Sequence, residues 1–450
     1  MFRRLLVANR GEVAVRIARA ARDAGVSPVG VVSTADRGAP WTEAFDEVVC
    51  VGGPAPGESY LRMSAIVQAA RQTGCAAVHP GWGFLAENAR FAALCEQSGL
   101  TFVGPRPATM EQMGLKWPSK VAMRAAGLEL TPGSDGLLHD VDEAVRAAEE
   151  VGFPVILKAD AGGGGRGMRI CRSEAEVREA FPSARAEATA AFGNGALFLE
   201  KFVTGGRHIE VQVIGDGFGH AVHLFERDCS VQRNHQKLIE ESPSPALSPD
   251  ERRALGERAA QAAASIGYVG AGTIEFLAEP GSGRLSFMEM NTRLQVEHPV
   301  TELVTGVDIV REQLRIAAGG AVGFSQDGVS LEGHAIECRI NAEDPSDGFR
   351  PTPGVLTEFD VPLDLGPGRV RVDTHVRAGA EVPPFYDSLI AKVIVHAADR
   401  PQAIETMQRT LSSARITGVA TTIPLHLAVL ASAEFQSGEY DTRSIPGWPA

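Results

Sequence analysis

Residues 3–110 alternate short apolar runs with longer segments in which apolar positions recur at helical spacing. Short apolar runs bounded by polar or glycine residues are typical of buried strands, and the longer periodic segments predict helices. Strands that alternate with helices in this way predict a parallel, doubly wound sheet. The predicted strands are 4–8, 28–33, 47–51, 76–79 and 100–104, and the predicted helices are 12–24, 59–73 and 86–98.

The turn after the first predicted strand argues against a dinucleotide cofactor. A Rossmann dinucleotide-binding fingerprint needs G-x-G-x-x-G at this point. The sequence here is Ala8-Asn9-Arg10-Gly11-Glu12. The pattern therefore disfavours NAD binding, although it keeps the Rossmann-like sheet.

Helix-start signals mark the middle of the chain. Asp140, Ser173 and Ser248 are each followed three residues later by a glutamate, which is the pattern of a helix N-cap and its partner carboxylate. The helix that follows Ser248 is expected to end at Gly267. Residues 105–120 come before these signals, and we interpret them as a junction.

Beyond Gly333 the pattern changes to several strands followed by helices. No low-complexity linker or internal repeat interrupts the chain, so its regions are expected to pack together. The patterns predict a multidomain protein of mixed α/β and α+β class, with regions 1–114, 115–333 and 334–450. The late strands are predicted at 335–341, 354–359, 370–374 and 389–396, and the late helices at 400–413 and 422–432.

A glycine run at 162–167 joins two predicted strands, 154–159 and 168–172. A P-loop would instead lead from G-x-x-x-x-G-K-[ST] into a helix. Backbone N–H groups of such a run can wrap an anion without obstruction by side chains, and Lys158 at the preceding strand end adds a point charge. We favour a lid over nucleotide phosphates, and a plain hairpin is the alternative.

Two strand-like segments, 273–276 and 287–291, are separated by the turn 280–283 and predict a hairpin. Glu275 on the first strand and Glu289 and Asn291 on the second offer hard oxygen ligands of the kind that Mg²⁺ prefers. An ordinary solvated hairpin face is the alternative. We favour metal binding because the surrounding strands are apolar.

Three polar clusters accompany the hairpin. Residues 292–299 place Arg293 and Glu297 directly after the metal strand, as for an anionic co-substrate and a base. His208, Glu210 and Gln212 share one face of a predicted strand. The run 226–237 is almost wholly polar, and a surface loop is the alternative there. Together with the glycine run, these clusters favour ATP-dependent phosphoryl transfer.

Composition limits the partners and the location. The formal net charge is −13, which argues against non-specific binding to nucleic acid or to anionic membranes. No apolar run approaches the about 18–20 residues of a transmembrane helix, and the first residues lack a signal-peptide core. The six scattered cysteines suit free thiols, and we expect a cytoplasmic enzyme. Only six of the 43 basic residues are lysines.

Six motifs make the sequence resemble the biotin carboxylase subunits of biotin-dependent carboxylases, in the ATP-grasp superfamily. The resemblance covers residues 3–447 and implies an ATP-grasp fold with a lid at about 131–203, between a Rossmann-like pre-ATP-grasp domain and a C-terminal biotin carboxylase domain. The motifs are ANRGE (8–12), HPGWGFLAEN (79–88), GGGGRGMR (162–169), ERDCSVQRNHQK (226–237), EMNTRLQVEHPVTE (289–302) and ECRINAEDP (337–345).

The resemblance implies a reaction in two stages. Bicarbonate attacks the γ-phosphate of ATP, held with Mg²⁺ or Mn²⁺, to give carboxyphosphate and ADP. The carboxyl group then passes to the ureido nitrogen of biotin on a carrier protein. A carboxyltransferase component and a homodimer are also implied, in an acyl-CoA carboxylase such as the acetyl-CoA enzyme of fatty acid biosynthesis. The sequence leaves open whether the acceptor is acetyl-CoA, propionyl-CoA, another acyl-CoA, pyruvate or urea.

The same motifs imply roles for individual residues. Arg293, Glu297, Lys237 and Arg339 would be catalytic, with Glu297 as the base and Arg339 at the biotin. Bicarbonate would meet Lys237, Arg293, Gln295 and the backbone of Val296, and the metal would meet Glu275, Glu289 and Asn291. The ATP contacts implied are Lys116, Lys158, Gly163, Gly164, Gly165, Glu200, Lys201, Phe202, Val203, His208, Gln232, His235, Glu275 and Glu289. These roles imply that four of the six lysines share one cleft: Lys116, Lys158, Lys201 and Lys237.

The sequence departs from the family pattern at a few positions. Trp82 stands where bacterial members more often have Tyr, and Leu115, Trp117 and Pro118 surround Lys116 where Asp and small residues are commoner. The biotin attachment motif Ala-Met-Lys-Met is absent, so a separate carrier protein is expected. The alternatives are another ATP-grasp ligase, such as one resembling carbamoyl-phosphate synthetase, and a catalytically silent carboxylase subunit.

Overall fold

The computed structural model describes residues 2–161 and 168–449. Its N-terminal region contains a five-stranded parallel sheet in the order β3-β2-β1-β4-β5. The doubly wound sheet predicted from the sequence is therefore confirmed. Its strands are β1 (Arg4–Val7), β2 (Ser27–Ser33), β3 (Glu47–Gly52), β4 (Ala77–His79) and β5 (Thr101–Phe102).

Helices cover both faces of this sheet and bury their apolar stripes against it. The junction predicted at 105–120 stays a prediction, and two helices that were not predicted occupy most of it. Proline starts the first of them, and Met110, Met113 and Met123 anchor the pair in the core. These helices are α1 (Gly11–Asp23), α2 (Met63–Gln72), α3 (Ala89–Gln97), α4 (Pro107–Gly114) and α5 (Lys116–Ala125).

A small three-stranded antiparallel sheet, in the order β7-β6-β8, follows with two helices packed on it. Asp140 and Ser173 cap these helices through side chains that accept from the backbone N–H groups of Glu143 and Glu176, as predicted. The glycine run 162–167 lies outside the described residues. The elements are α6 (Val141–Val151), β6 (Val155–Ala159), β7 (Arg169–Cys171), α7 (Glu174–Phe192) and β8 (Leu197–Lys201).

The largest sheet has eight strands and runs through the middle and C-terminal regions without a break. The helix after Ser248 begins with the predicted capping box to Glu251 and packs under two of these strands. Five strands and three helices belong to the middle region: β9 (Arg207–Asp216), β10 (Ala221–Arg233), β11 (Gln236–Ser242), α8 (Pro249–Ser265), β12 (Val269–Ala278), β13 (Leu285–Asn291), α9 (His298–Thr305) and α10 (Ile309–Ala317).

The polar run 226–237 is not a surface loop. Most of it lies in β10 and β11, which turn at Asn234 and His235, both with positive φ. Residues 226–231 are buried, Arg227 fully so, whereas Asn234, His235 and Gln236 at the turn are exposed. The scarcity of apolar residues here therefore reflects polar side chains buried inside the protein.

The C-terminal region completes the large sheet, where β11 pairs with β14 and β21 with β19. The predicted strand 354–359 is wrong in extent, because the chain turns inward at the buried Leu356 and forms two strands with different partners. Three short helices cover the sheet. Strands β14–β22 are His334–Asn341, Glu343–Asp344, Arg350–Pro351, Gly354–Val355, Glu358–Asp360, Arg369–Thr374, Glu381–Val382, Leu389–Ala397 and Arg415–Thr417, and helices α11–α13 are Arg400–Ser413, Ile423–Ala431 and Ala433–Ser437.

The described residues contain no helix that is both long and apolar enough to cross a membrane. The division of the chain at 114 and 333 stays a prediction. Pairing of β11 with β14 shows that the second of these boundaries falls within a continuous sheet.

Candidate active site

A cleft of about 450 Å³ lies where the N-terminal region, the large sheet and the small sheet meet. Most of the predicted site residues line it, although they come from elements far apart in the chain. Fourteen of them do so: Lys116, Lys158, His208, Gln232, His235, Lys237, Glu275, Glu289, Asn291, Arg293, Gln295, Val296, Glu297 and Arg339.

Lys237 stands at the centre of a group of carboxylates. Its Nζ lies 3.0 Å from Oε1 of Glu275 and 2.6 Å from Oε1 of Glu297, and it also donates to Glu210. Burial opposes the charged form, but the three carboxylates outweigh it and raise the pKa of Lys237 well above its usual value. The lysine therefore remains cationic and holds three acidic groups together.

Glu297 joins this lysine to Arg339. One carboxylate oxygen accepts from Lys237, and the other lies 2.9 Å from a guanidinium nitrogen of Arg339. Burial disfavours the ionised form, yet Lys237, Arg339 and Arg227 hold the pKa of Glu297 well below its usual range. The side chain is therefore an ionised carboxylate with cations on both sides, next to the open cleft.

Arg339 on β14 is also bound by Glu240 on β11, the strand that pairs with β14. Its Nε donates to Oε1 of Glu240 over 2.6 Å. The carboxyl of Glu240 is fully buried, and this burial raises its pKa. The guanidinium thus lies between Glu240 on β11 and Glu297 at the start of α9, which fixes its plane beside the cleft.

The hairpin of β12 and β13 places Glu275 directly opposite Glu289, and Asn291 follows two residues later on the second strand. The amide of Asn291 donates to Glu275 over 2.7 Å, and Lys116 donates to Glu289 over 2.7 Å. Lys237 and His208 hold the pKa of Glu275 well below its usual range despite burial, so it is ionised. Two carboxylates and an amide oxygen are a ligand set that fits Mg²⁺. Cationic side chains now contact these oxygens.

A second cluster able to hold a metal lies beside this hairpin. His208, Glu210 and Glu275 present ligand atoms within 4.8 Å of one another. The sequence placed the first two on one strand face, and the structure adds Glu275 from the neighbouring strand β12. Burial disfavours the charged imidazole, but Glu275 outweighs it and raises the pKa of His208. Because Glu275 belongs to both clusters, we regard them as one site.

The expected lysine cluster forms with one exception. Lys116, Lys158 and Lys237 line the cleft. Lys201 does not, because its Nζ donates to the backbone carbonyls of Gly152 and Phe153 at 2.9 and 3.0 Å. Lys120, for which no role was predicted, lines the cleft instead. Glu200, Phe202 and Val203 are absent from its lining, and the glycines 163–165 lie outside the described residues.

Two residues that hold the site residues in place were not predicted from the sequence. Arg227 is fully buried and donates to Glu210, Gln212 and Thr301. Glu87, in the N-terminal region, accepts from Nε of Arg293 over 2.8 Å. Both lie within quoted motifs, so a charged residue inside a motif was the available signal.

Lys392 is a further supporting residue, and it lies in no motif. It is wholly buried on β21, and its Nζ donates to the carbonyl of Val296 over 2.8 Å. The same Nζ lies 3.1 Å from Glu12 on α1. A lone lysine inside an apolar strand was the signal that could have identified it.

Comparison with known proteins gives the class of this site. The family model described as biotin carboxylase, N-terminal domain, matches residues 1–110, and the biotin carboxylase C-terminal domain matches 337–446. Between them, residues 116–323 match the ATP-binding domain of the carbamoyl-phosphate synthase L chain. The fold and the site therefore define an ATP-grasp ligase.

Individual relatives narrow the class. Biotin carboxylase 1 of Bacillus subtilis is 49% identical over 445 residues, covering 99% of this chain and 98% of that protein. The biotin carboxylase domain of 2-oxoglutarate carboxylase from Hydrogenobacter thermophilus, solved as a dimer with MgADP, ADP and bicarbonate, is 48% identical with a TM-score of 0.93, covering 98% and 97% of the two chains. The Campylobacter jejuni biotin carboxylase, solved as a β,γ-ATP complex, is 44% identical with a TM-score of 0.94 and 98% coverage of both.

The chain belongs to the biotin carboxylase family. It is an enzyme, and its reaction is the ATP-dependent carboxylation of biotin. The alternative of a ligase that resembles carbamoyl-phosphate synthetase is wrong, because only the central domain carries that likeness.

Proposed function

We propose that the chain catalyses the first half-reaction of an acyl-CoA carboxylase. Bicarbonate attacks the γ-phosphate of ATP and gives carboxyphosphate and ADP. The carboxyl group of carboxyphosphate then passes to biotin on a separate carrier protein, and inorganic phosphate is released. The position of the ionised Glu297 between Lys237 and Arg339, beside the acidic hairpin, is the observation that carries this proposal.

The nucleotide is assigned to the side of the cleft formed by α5, β6 and β10. Lys116 and Lys158 would meet its phosphates as point charges, and His208, Gln232 and His235 would add further contacts. Glu275, Glu289 and Asn291 would hold Mg²⁺ or Mn²⁺, which neutralises phosphate charge when bound. The segment 200–203 as adenine hinge and the glycines 163–165 as lid complete this assignment.

Bicarbonate is assigned to Lys237, Arg293, Gln295 and the backbone of Val296. Glu297 would remove its proton, for which the carboxylate must be ionised, as it is here. A bound anion offsets the charge of Lys237 and Arg339, which are the groups that lower the pKa of Glu297. Substrate binding therefore raises the proton affinity of this carboxylate when it is needed.

Biotin is assigned to the end of the cleft at Arg339. Its guanidinium would stabilise the negative charge that develops on the ureido oxygen. Trp82 lines the same cleft, and its indole N–H donates to Glu12 over 3.0 Å. The indole is therefore fixed by the N-terminal region, where it would border the incoming carrier.

Biotin carrier protein and a carboxyltransferase are the proposed partners, and a homodimer in the cytoplasm is the proposed state. The Bacillus biotin carboxylase and the domain of 2-oxoglutarate carboxylase are nearly equally similar to this chain. We therefore assign the choice of acceptor to the transferase, with an acyl-CoA of fatty acid biosynthesis as the proposed acceptor.

The test is ATP cleavage by the purified chain with bicarbonate, free biotin and Mg²⁺. Turnover should need bicarbonate and rise with biotin, and Glu297→Gln should lower kcat by about 10²-fold or more because it removes the base. Glu257→Gln, an exposed change on α8, is the matched control. Turnover that needs ammonia and ignores biotin would contradict the proposal, and an inactive wild-type chain would indicate a silent subunit.

A further inference from the structure

Three lysines converge on the nucleotide side of the cleft, and among the described residues they form ion pairs with two glutamates. Lys116 and Lys120 lie four residues apart on α5 and therefore share one face of that helix. Lys116 pairs with Glu289. Lys120 and Lys158 both pair with the same carboxylate, Glu200 on β8, from which the Nζ of Lys158 lies 2.6 Å.

The two lysines that share Glu200 differ in their access to the cleft. The side chains of Lys120 and Glu200 are each 4% exposed, whereas Lys158 is 21% exposed. The ammonium of Lys120 also lies 5.8 Å from the ring centre of Phe198, which covers it. Lys158 is therefore the lysine that can turn toward a ligand, and Lys120 is the one that stays.

A buried carboxylate that loses its only cation is strongly destabilised. If Lys158 were the sole partner of Glu200, drawing it toward a phosphate would leave such a carboxylate behind. Lys120 prevents this, because it still neutralises Glu200 when Lys158 leaves. Burial lowers the pKa of Lys120. Burial also opposes ionisation of Glu200, but Lys158 and Lys120 outweigh it and lower the pKa of this carboxyl. Glu200 is therefore ionised, which agrees with a retained ion pair.

We propose that Lys120 is a positioning residue for nucleotide binding, which holds Glu200 so that Lys158 is free to meet the phosphates. Lys120 itself need not touch the nucleotide. The inference rests on the proposed assignment of ATP to this side of the cleft, and it adds a residue that the family resemblance did not supply. The nucleoside di- or triphosphate is the ligand whose affinity it sets.

The test is a double-mutant cycle of Lys120→Met and Glu200→Gln. In the wild-type background, Lys120→Met should raise KM for ATP about tenfold with little change in kcat, since Lys158 is then trapped by Glu200. In the Glu200→Gln background no charge remains to trap Lys158, so Lys120→Met should change KM by less than about twofold. Calorimetric titration with ADP should show the same coupling without turnover.

Two controls separate this role from simple loss of packing. Arg124→Met removes an exposed cation from the same helix and should leave KM unchanged. Lys120→Arg keeps the charge and should leave KM within about twofold of wild type. If Lys120→Met is not recovered as folded protein, Lys120→Gln replaces it in the cycle. The KM of Lys120→Arg tests independently whether the positive charge at this position is what matters.

The inference is overturned if Lys120→Met raises KM by the same factor in both backgrounds, if it leaves KM unchanged, or if Lys120→Arg is as impaired as Lys120→Met. Failure of the proposed function gives a different result, since the wild-type chain would then show no bicarbonate-dependent cleavage of ATP. If the wild-type chain cleaves ATP in a bicarbonate-dependent way but the effects of the Lys120 and Glu200 substitutions are independent, only the role of Lys120 is rejected.

Discussion

Lys392→Met would remove a charge from the place where the three regions of the chain meet. The Nζ of Lys392 donates to the carbonyl of Val296 over 2.8 Å, and it lies 3.1 Å from Glu12 and 3.9 Å from Asp373. Burial disfavours the ammonium, but Glu12, Glu337 and Asp373 outweigh it and raise the pKa of Lys392. The lysine is therefore charged although its side chain has no contact with solvent.

The expected loss of unfolding free energy depends on the carboxylate that is left unpaired after the substitution. Removing one partner of a buried ion pair costs about 3–5 kcal/mol, because the other charge is left uncompensated. Burial already raises the pKa of Glu12, so this carboxyl takes up a proton readily once the lysine is gone. We therefore expect the lower end of the range, about 3 kcal/mol of unfolding free energy.

The assay is equilibrium unfolding in urea of Lys392→Met, Glu12→Gln and the double variant. The double variant should lose at least about 1 kcal/mol less than the sum of the single losses, because it leaves no unpaired charge. Arg409→Met breaks an exposed pair on α11 and should cost less than about 1 kcal/mol. A loss of less than about 1 kcal/mol for Lys392→Met, or additive losses, would refute the reasoning.

Two further predictions concern pH and metal. Burial opposes ionisation of Glu241, but His334 and Arg400 outweigh it and lower the pKa of this carboxyl to about 2. The contribution of Glu241 to stability is therefore complete above about pH 4.5 and is lost as the pH falls toward 2. Unfolding at stepped pH should show a shallower acid loss for Glu241→Gln than for wild type, and equal slopes would exclude this role. Chelation should abolish ATP cleavage, and Glu289→Gln should raise the Mg²⁺ concentration for half-maximal rate about tenfold, whereas an unchanged requirement would remove Glu289 from the metal site.

Local patterns predicted the fold well where each element buries one face. The strands and helices of residues 3–104 follow from apolar periodicity, and Asp140, Ser173 and Ser248 cap helices as expected. The pattern failed where tertiary pairing decides. The break at Leu356 depends on partners far away in sequence, and helix α5 was not predicted, although its Lys116 and Lys120 line the cleft.

The candidate site was predictable in its motifs and not in its connections. Register between β12 and β13 brings Glu275 opposite Glu289, as alternation in a hairpin requires. Nothing local could show that Lys120 would meet Glu200, or that Lys392 would reach Val296, since these pairs lie 80 and 96 residues apart. Such contacts arise only when separate elements pack together.

The pairing of β11 with β14 has a consequence for how such proteins can be recombined. A gene fragment that ends near residue 333 would encode β11 with its outer N–H and C=O groups unpaired, as a bare edge open to other chains. Arg339 would be lost in the same cut, since it lies on β14. Modules of this kind should therefore be exchanged between carboxylases as one cassette from β1 to α13, with fusion points outside it.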